Sequence, residues 1–330
     1  INSLTEFGER TELTIYHTDG GTQNYGQGSV EVFLGDTGLK LKAYGGYGEA
    51  NPSSFLRTIG YEGITTVFGA ALTYPVIRAR AQTLNVSFSL DAVDTQIQTN
   101  TGAGGSIRNG TDQLRIASLG VDYALTDGLL GALHPGTNSA SVKLMQGIPA
   151  FGASSDGALT ATRLNEKIDF TKLTFDFSRL QQLFEAWENA TVALKGRVLG
   201  QVTGDVLPPS EQFYFGGGEY NRGYYSGQFV GDNALVFSSE LQLNTGYEVG
   251  LFGRSVPIAV QYYGFYDFGQ AWQEQNLDAG VTLSSFGVGA RTTVTRFTEF
   301  DLELAHRNTS LSHGGRNNFV SVPKGDAIYW

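Results

Sequence analysis

Hydrophobic and polar residues alternate with a period of two along most of this chain. Leu84, Val86, Phe88 and Leu90 oppose Asn85, Ser87 and Ser89, and Leu173, Phe175 and Phe177 oppose Lys172, Thr174, Asp176 and Ser178. Runs of this kind, broken by Gly, Asn, Asp and Pro clusters, predict antiparallel strands with one apolar face. They fall at Glu12–His17, Ser29–Leu34, Leu39–Tyr44, Thr66–Tyr74, Thr83–Asp91, Gln113–Ala124, Ala140–Gln146, Thr171–Arg179, Thr191–Val198, Ala234–Leu243, Val256–Gly269, Ser284–Thr293, Phe300–Ala305 and Asp326–Trp330. That makes about fourteen strands. The phase slips between Ile116 and Leu119, which predicts a β-bulge. Leu180–Glu188 reads as the only helix-like stretch. No βαβ pattern and no internal repeat is present.

The polar face carries Lys, Arg, Asp and Glu on strand after strand, whereas the other face is Val, Leu, Phe and Tyr. A soluble sandwich would place those charges in water, and a membrane barrel would place them in a wet lumen with the apolar face in lipid. The connections discriminate. Gly35–Gly38 and Pro75–Arg80 are short, whereas Glu49–Ser54, Thr99–Gly110, Gly147–Glu166, Leu207–Asn233 and Arg307–Lys324 occupy every second position and are mostly longer. Short turns at one rim and long loops at the other favour the barrel. Asp127–Asn138 and Asn244–Val256, on the short rim, fit this rule less well.

Composition sharpens the reading. Charged residues are 16% of the 330 residues, below the soluble average, while 44 glycines, 21 phenylalanines and 16 tyrosines suit strands and tight turns. No apolar run is long enough for a transmembrane helix. A net charge of −10 argues against nucleic acid as a partner. The absence of cysteine removes disulfides, thiolate metal sites and a cysteine nucleophile. No signal peptide opens the chain, which starts at Ile1 as if in the middle of something.

One stretch, Leu207–Leu243, stands apart: LPPSEQFYFGGGEYNRGYYSGQFVGDNALVFSSELQL. A long Gly- and aromatic-rich loop carries Arg222 at its centre and leads into a strand with Leu235, Phe237 and Leu241 on one face and Ser238, Glu240 and Gln242 on the other. Connections of this length are usually functional. In Val256–Trp272, alternation turns Tyr262, Tyr266 and Phe268 outward and Gln261, Tyr263, Phe265 and Asp267 inward. A carboxylate on an inner wall among aromatics needs a partner. Arg222 offers a planar fork that could bind it bidentately, and Gly216, Gly217, Gly218 and Gly223 allow sharp turns nearby. From the residues alone, Arg222 could equally be a solvated turn residue and Asp267 a strand-end residue.

These motifs resemble those of the two-partner secretion transporters of the outer membrane, the ShlB/FhaC/HecB family within the polypeptide-transporting barrels. That family carries a Gly-Gly stretch, a V-R-G-Y or V-R-G-F tetrad, then G-D and a strand ending S-x-E-L. Here Asn221-Arg222-Gly223-Tyr224 stands at the tetrad, with Asn221 replacing the valine. Gly264-Phe265-Tyr266-Asp267-Phe268-Gly269 is similar to the second motif, F-x-D-x-G, and Tyr74–Arg80 to the family's Y-P-L-I-R-S-R turn. The resemblance implies an all-β transmembrane antiparallel barrel of about 16 strands in the bacterial outer membrane. It implies a loop in the lumen, salt-bridged from Arg222 to Asp267 on the wall, with Asn221, Gly223, Tyr224, Phe265, Gly264 and Gly269 around the contact. It also implies upstream POTRA domains and a large secreted exoprotein, of haemolysin or adhesin type, as client. Lipid and lipopolysaccharide are the remaining expected partners. Against that template residues 1–330 read as one barrel domain lacking its first two strands, the end of its last strand and the POTRA domains.

Other chemistry is not encoded. His17, His134, His306 and His313 fall on separate segments without ligand spacing, so no metal or other cofactor is expected. No G-x-S-x-G elbow occurs, and Gly216–Gly218 is not followed by a helix as a phosphate loop would be. Enzymatic activity is therefore not expected. Lys172, Lys195 and Arg197 read as lumenal charges that either contact an extended client or, the favoured reading, face water. Trp272, Tyr262 and Tyr266 suit the lipid–water boundary. An outer-membrane assembly factor or passive pore, and a soluble β-sandwich module or hydrolase, are the competing readings.

Overall fold

The computed structural model describes residues 8–329 except 19–22, 52–61, 101–105, 219, 252–253, 276–279, 296 and 312–324. Its strands are β1 (Arg10–His17), β2 (Gln23–Leu34), β3 (Leu39–Ala50), β4 (Glu62–Arg78), β5 (Gln82–Asn100), β6 (Ser106–Asp127), β7 (Gly136–Gly147), β8 (Thr171–Trp187) and β9 (Ala190–Thr203). They continue with β10 (Phe213–Phe215), β11 (Phe229–Gly231), β12 (Asn233–Leu251), β13 (Arg254–Trp272), β14 (Val281–Thr295), β15 (Thr298–Leu311) and β16 (Gly325–Tyr329). All but β10 and β11 form one 14-stranded antiparallel sheet in chain order, and β10 and β11 pair with each other. Among the described residues β1 and β16 are not paired to one another.

Nearly every strand outruns its apolar–polar alternation. Thr83–Asp91 becomes a 19-residue strand and Ala234–Leu243 another. The ladder of backbone hydrogen bonds continues where both faces are polar, so the period-2 signal stops before the strand does. Thr99–Gly110 is consequently mostly strand, and Asn244–Val256 is a hairpin whose strands reach Leu251 and resume at Arg254. The short rim is thus more regular than its sequence, with 128–135 the remaining exception. Pro75 lies inside β4 at a register shift between Pro75 and Ile77, because proline offers no N–H to the ladder. The turn falls beyond it, where Ala79 and Gln82 exchange backbone hydrogen bonds. Of the loop anticipated at Glu49–Ser54, Glu49 and Ala50 belong to β3 and residues 52–54 lie outside the described residues, as does 312–324 of the loop anticipated at Arg307–Lys324.

Two expectations fail. Leu180–Glu188 is not helical: β8 runs on to Trp187 through register shifts at Gln182/Phe184 and Glu185/Trp187. Those shifts space Leu180, Phe184 and Trp187 as a helix would, which explains the misleading pattern. Asn189, at φ 64°, makes the turn. Nor is there a bulge between Ile116 and Leu119, since the register of β6 against both neighbours is continuous there. The apolar residues instead change face. Leu114 and Ile116 point inward and are buried with Ile168, Phe170 and Leu207 from two loops, whereas Leu119 is 53% exposed on the outside.

Burial is inverted relative to a soluble sheet. Leu241, Phe286 and Phe68 are 53%, 57% and 63% exposed, while Asp267 is 1% and Glu240 4% exposed. Among the described residues no second sheet covers the apolar face. The inner face has its own core, in which Leu199, Ala234, Val236, Ala271, Val281 and Leu283 receive Phe215, Tyr224 and Phe229 from the 204–232 loop. Truncating Phe170 to alanine removes the central ring of the other inner cluster, a loss of about 3–5 kcal/mol for a buried aromatic. The expected outcome is rapid proteolysis within 148–170 with the strands still protected, measured by limited digestion of the inserted protein.

Candidate functional site: a loop ion-paired to the inner wall

The 204–232 loop is a structured hairpin. A 3-10 turn at Pro209–Glu211 leads into β10, which pairs with β11 in the register Phe213↔Gly231 and Phe215↔Phe229. Gly216 and Gly217 open the tip with φ of 108° and 96°, where a side chain on Gly217 would come within 2.8 Å of the Ser226 backbone. Tyr224 and Phe229 pack edge to face with ring centres 6.0 Å apart. This tip carries residues 221–224 against β12 through β15.

Arg222 is 6% exposed. Its Nε donates to Asp267 Oδ2 at 2.8 Å and its Nη2 to Asp267 Oδ1 at 2.8 Å, the bidentate fork geometry. Its backbone N–H donates to Asp267 Oδ2 at 2.9 Å, and Ser238 Oγ donates to Oδ1 at 2.6 Å. The carboxylate therefore accepts four hydrogen bonds in a place closed to water. The remaining guanidinium nitrogen, Nη1, donates to Glu240. Arg291 donates to the same Glu240 from Nη1 at 2.8 Å and Nη2 at 3.2 Å. Arg291 Nε also donates to the more exposed Asp301 at 3.2 Å, so the two arginines bridge three carboxylates, of which Asp267 and Glu240 are buried with Arg222. The Arg222 guanidinium also lies 3.7 Å from the centre of the Phe265 ring, and that of Arg291 3.9 Å from the centre of the Tyr263 ring.

The other tetrad positions have separate tasks. Asn221 adopts φ 66°, a conformation asparagine tolerates better than valine would. It is buried against Gly269, where an added Cβ would fall 2.3 Å from the Asn221 Oδ1. Both polar atoms of its amide lack a partner. Gly223, at φ 92°, passes close to Ala305 and Arg307, and Arg307 Nη1 donates to its carbonyl at 3.2 Å. The Tyr224 hydroxyl reaches the carbonyls of Asn308 and Ser284 at 2.9 and 3.1 Å and accepts from Thr309. Gly264 faces outward between Leu241 and Val288, and a side chain there would meet only the Gly287 carbonyl, at 3.8 Å.

A sequence profile of the haemolysin secretion/activation proteins ShlB/FhaC/HecB matches residues 10–292. The chain belongs to the ShlB/FhaC/HecB family. CdiB from Acinetobacter baumannii superimposes with a TM-score of 0.66 at 16% identity, covering 99% of this chain and 54% of that one. CdiB from Escherichia coli gives 0.65 at 16%, covering 98% and 58%. BamA from Haemophilus ducreyi lacking POTRA domains 1–3 gives 0.60 at 12%, covering 98% and 63%. Comparison with curated sequences gives no match. The chain thus spans a little over half the length of these structures. The fold is that of an antiparallel transmembrane β-barrel of the bacterial outer membrane, and the 204–232 loop lies on its inner face.

Several participants in this ShlB/FhaC/HecB site went unnoticed in the sequence. Glu240 was visible as inward-facing, but its pairing was not. Arg291 reaches it from two strands away, which only the register discloses. The expectation that Lys172 faces water also fails, whereas Arg197 stays partly exposed. Lys172 is buried and pairs with Glu211 of the loop at 2.8 Å, and Arg197 pairs with Asp176 beneath the Tyr220 ring. Lys195 alone of the three is exposed. Among the described residues no cluster of His, Asp and Glu could hold a metal ion, and His313 lies outside them.

A second loop, 148–170, covers the base of the first. Thr162 N donates to Asp112 at 3.0 Å and Arg163 N to Glu166 Oε2 at 3.0 Å, while Glu166 Oε1 has no partner. Burial, and then the adjacent Asp112 carboxylate, push the Glu166 carboxyl up to about 8. With its folded value above its ordinary one, protonated Glu166 favours the docked loop. That contribution is full below an ordinary carboxyl value and is lost as pH rises through about 8. Cleavage within 148–170 should accordingly be faster at about pH 9 than at about pH 6, and Glu166→Gln should flatten the difference. Equal rates in the unaltered protein would refute this assignment.

Proposed function

We propose that this barrel secretes a large exoprotein across the outer membrane, and that the Arg222–Asp267 contact holds the lumenal loop in its working position. Family membership supports the transport class. The observation that carries the residue assignment is the bidentate Arg222–Asp267 pair, closed to water and tied by Arg222 Nη1 to Glu240. The hairpin packed into the lumen through Phe215, Tyr224 and Phe229 narrows the passage, which supports a gated conduit over a wide open pore. The client is taken to be of haemolysin or adhesin type, crossing in extended form without a nucleotide-driven motor. We further take the whole protein to carry POTRA domains and the barrel strands that complete the family's architecture.

The test is secretion of the genetically linked exoprotein by cells carrying Arg222→Ala. Truncating one partner of a buried ion pair costs about 3–5 kcal/mol, enough to unseat the loop while leaving the strand ladder intact. The variant should reach the outer membrane with the heat-modifiable mobility of a folded barrel and lose most secretion. Secretion at the unaltered level from a correctly inserted Arg222→Ala barrel would remove Arg222 from the mechanism.

A further inference from the structure

The neck of the lumenal loop is gripped by one side chain from another loop. Arg163 Nη1 donates to the Leu207 carbonyl at 2.8 Å, where the 204–232 loop sets out. The same guanidinium donates to Asp232, where the loop ends, from Nη1 at 2.5 Å and Nη2 at 3.0 Å. Asp232 is 0% exposed. It also accepts from Leu207 N at 3.1 Å, Gln212 Nε2 at 3.1 Å and Glu274 N at 2.9 Å. Arg163 reaches Gln273 as well, at 3.0 Å, so the connection after β13 joins the same knot. A fully desolvated carboxylate with this many donors is a stiff junction, since freeing it means exposing an unpaired charge to a dry site.

The 148–170 loop that supplies Arg163 is itself fastened to the wall. Ile148 N and Ser154 N donate to the carbonyls of Arg115 and Gln113 at 2.7 and 2.8 Å, and Thr111 N donates to the Thr160 carbonyl at 2.6 Å. Lys167 N donates to the Val206 carbonyl at 2.8 Å, extending the contact along the neck. The lumenal hairpin is therefore held at its tip by Arg222 and at its neck by Arg163, with Lys172 of the wall pairing Glu211 beside the neck.

We propose that Arg163 is a positioning residue for transport: it clamps the neck of the lumenal hairpin, and the 148–170 loop must lift from the wall before the hairpin can leave the lumen. This rests on the transport reading only for its purpose, because hairpin displacement can be measured without a client. Loss of the tip contact unseats the tip but leaves the neck pairs Arg163–Asp232 and Lys172–Glu211 in place. With Arg163 intact the hairpin leaves only when the 148–170 loop lifts; without Arg163 the hairpin is uncoupled from that loop and opens more often.

The experiment is single-channel recording of the full-length protein in planar lipid bilayers, with no client present. Arg163→Met should raise the fraction of time at the large, unplugged conductance by roughly tenfold or more, as expected for a buried ion pair that loses one partner. The converse uses a tether. The chain contains no cysteine, and the Asp112 carboxylate accepts from the backbone N–H and the hydroxyl of Thr162, so these two side chains face each other across the contact between loop and wall. Oxidised Asp112→Cys/Thr162→Cys protein should lose large openings below the unaltered level and recover them with reductant. Unaltered opening in a folded Arg163→Met barrel, or undiminished opening in the oxidised double variant, overturns the proposal. Failure of Arg163→Met to insert leaves the tether as the deciding arm. Neither arm measures secretion, so a failure here is distinct from a failure of the transport reading.

Discussion

A guanidinium that leaves water has to find its full complement of acceptors, and this structure is arranged around one that does. Arg222 sits where β12 and β13 meet the loop tip, with Asp267 taking its fork, Glu240 its third nitrogen and Phe265 its face. The net value of such a site is modest once desolvation is counted, but the loss on breaking one partner is large. Each half-broken arrangement leaves a buried charge without its partner beside apolar side chains.

The remainder of the sheet makes that burial possible. Because the outer face is apolar and exposed, the inner face can carry many polar and charged residues without costing the fold its stability in lipid. The hairpin then supplies what an aqueous lumen cannot. Phe215, Tyr224 and Phe229 land on an inner-wall patch of Leu199, Val236 and Leu283 and exclude water from the ion pairs beside them. Hydrophobic contact and ion pairing are interdependent here: the aromatic cluster dries the site, and the paired charges fix the cluster's position.

Much of the architecture was legible in the sequence because a membrane barrel writes its pattern strand by strand. Alternation such as Leu84-Asn85-Val86-Ser87 fixes face and phase locally. What escaped detection were features set by register or by contacts distant in sequence. Strand ends beyond the apolar band carry no alternation, and bulges gave Leu180, Phe184 and Trp187 a helix-like spacing. Leu114 and Ile116 broke phase because a loop from far along the chain covers them. At the site, Arg222 and Asp267 were conspicuous as a lone loop cation and an inward strand acid. Arg291 and Arg163 were not, since nothing near them in sequence marks what they meet. Asn221 read as a departure from an apolar position, whereas its backbone lies in the left-handed region, which asparagine tolerates.

The central claim is that the hairpin is held by the mutual attraction of Arg222 and Asp267 rather than by either residue's separate packing. A double-mutant cycle on hairpin release tests it, with opening free energies from bilayer recordings for Arg222→Ala, Asp267→Ala and the two combined. If the account is right, the combined variant opens little more than either single one, because removing both charges relieves the orphan each single change leaves behind. Effects that simply add would contradict it.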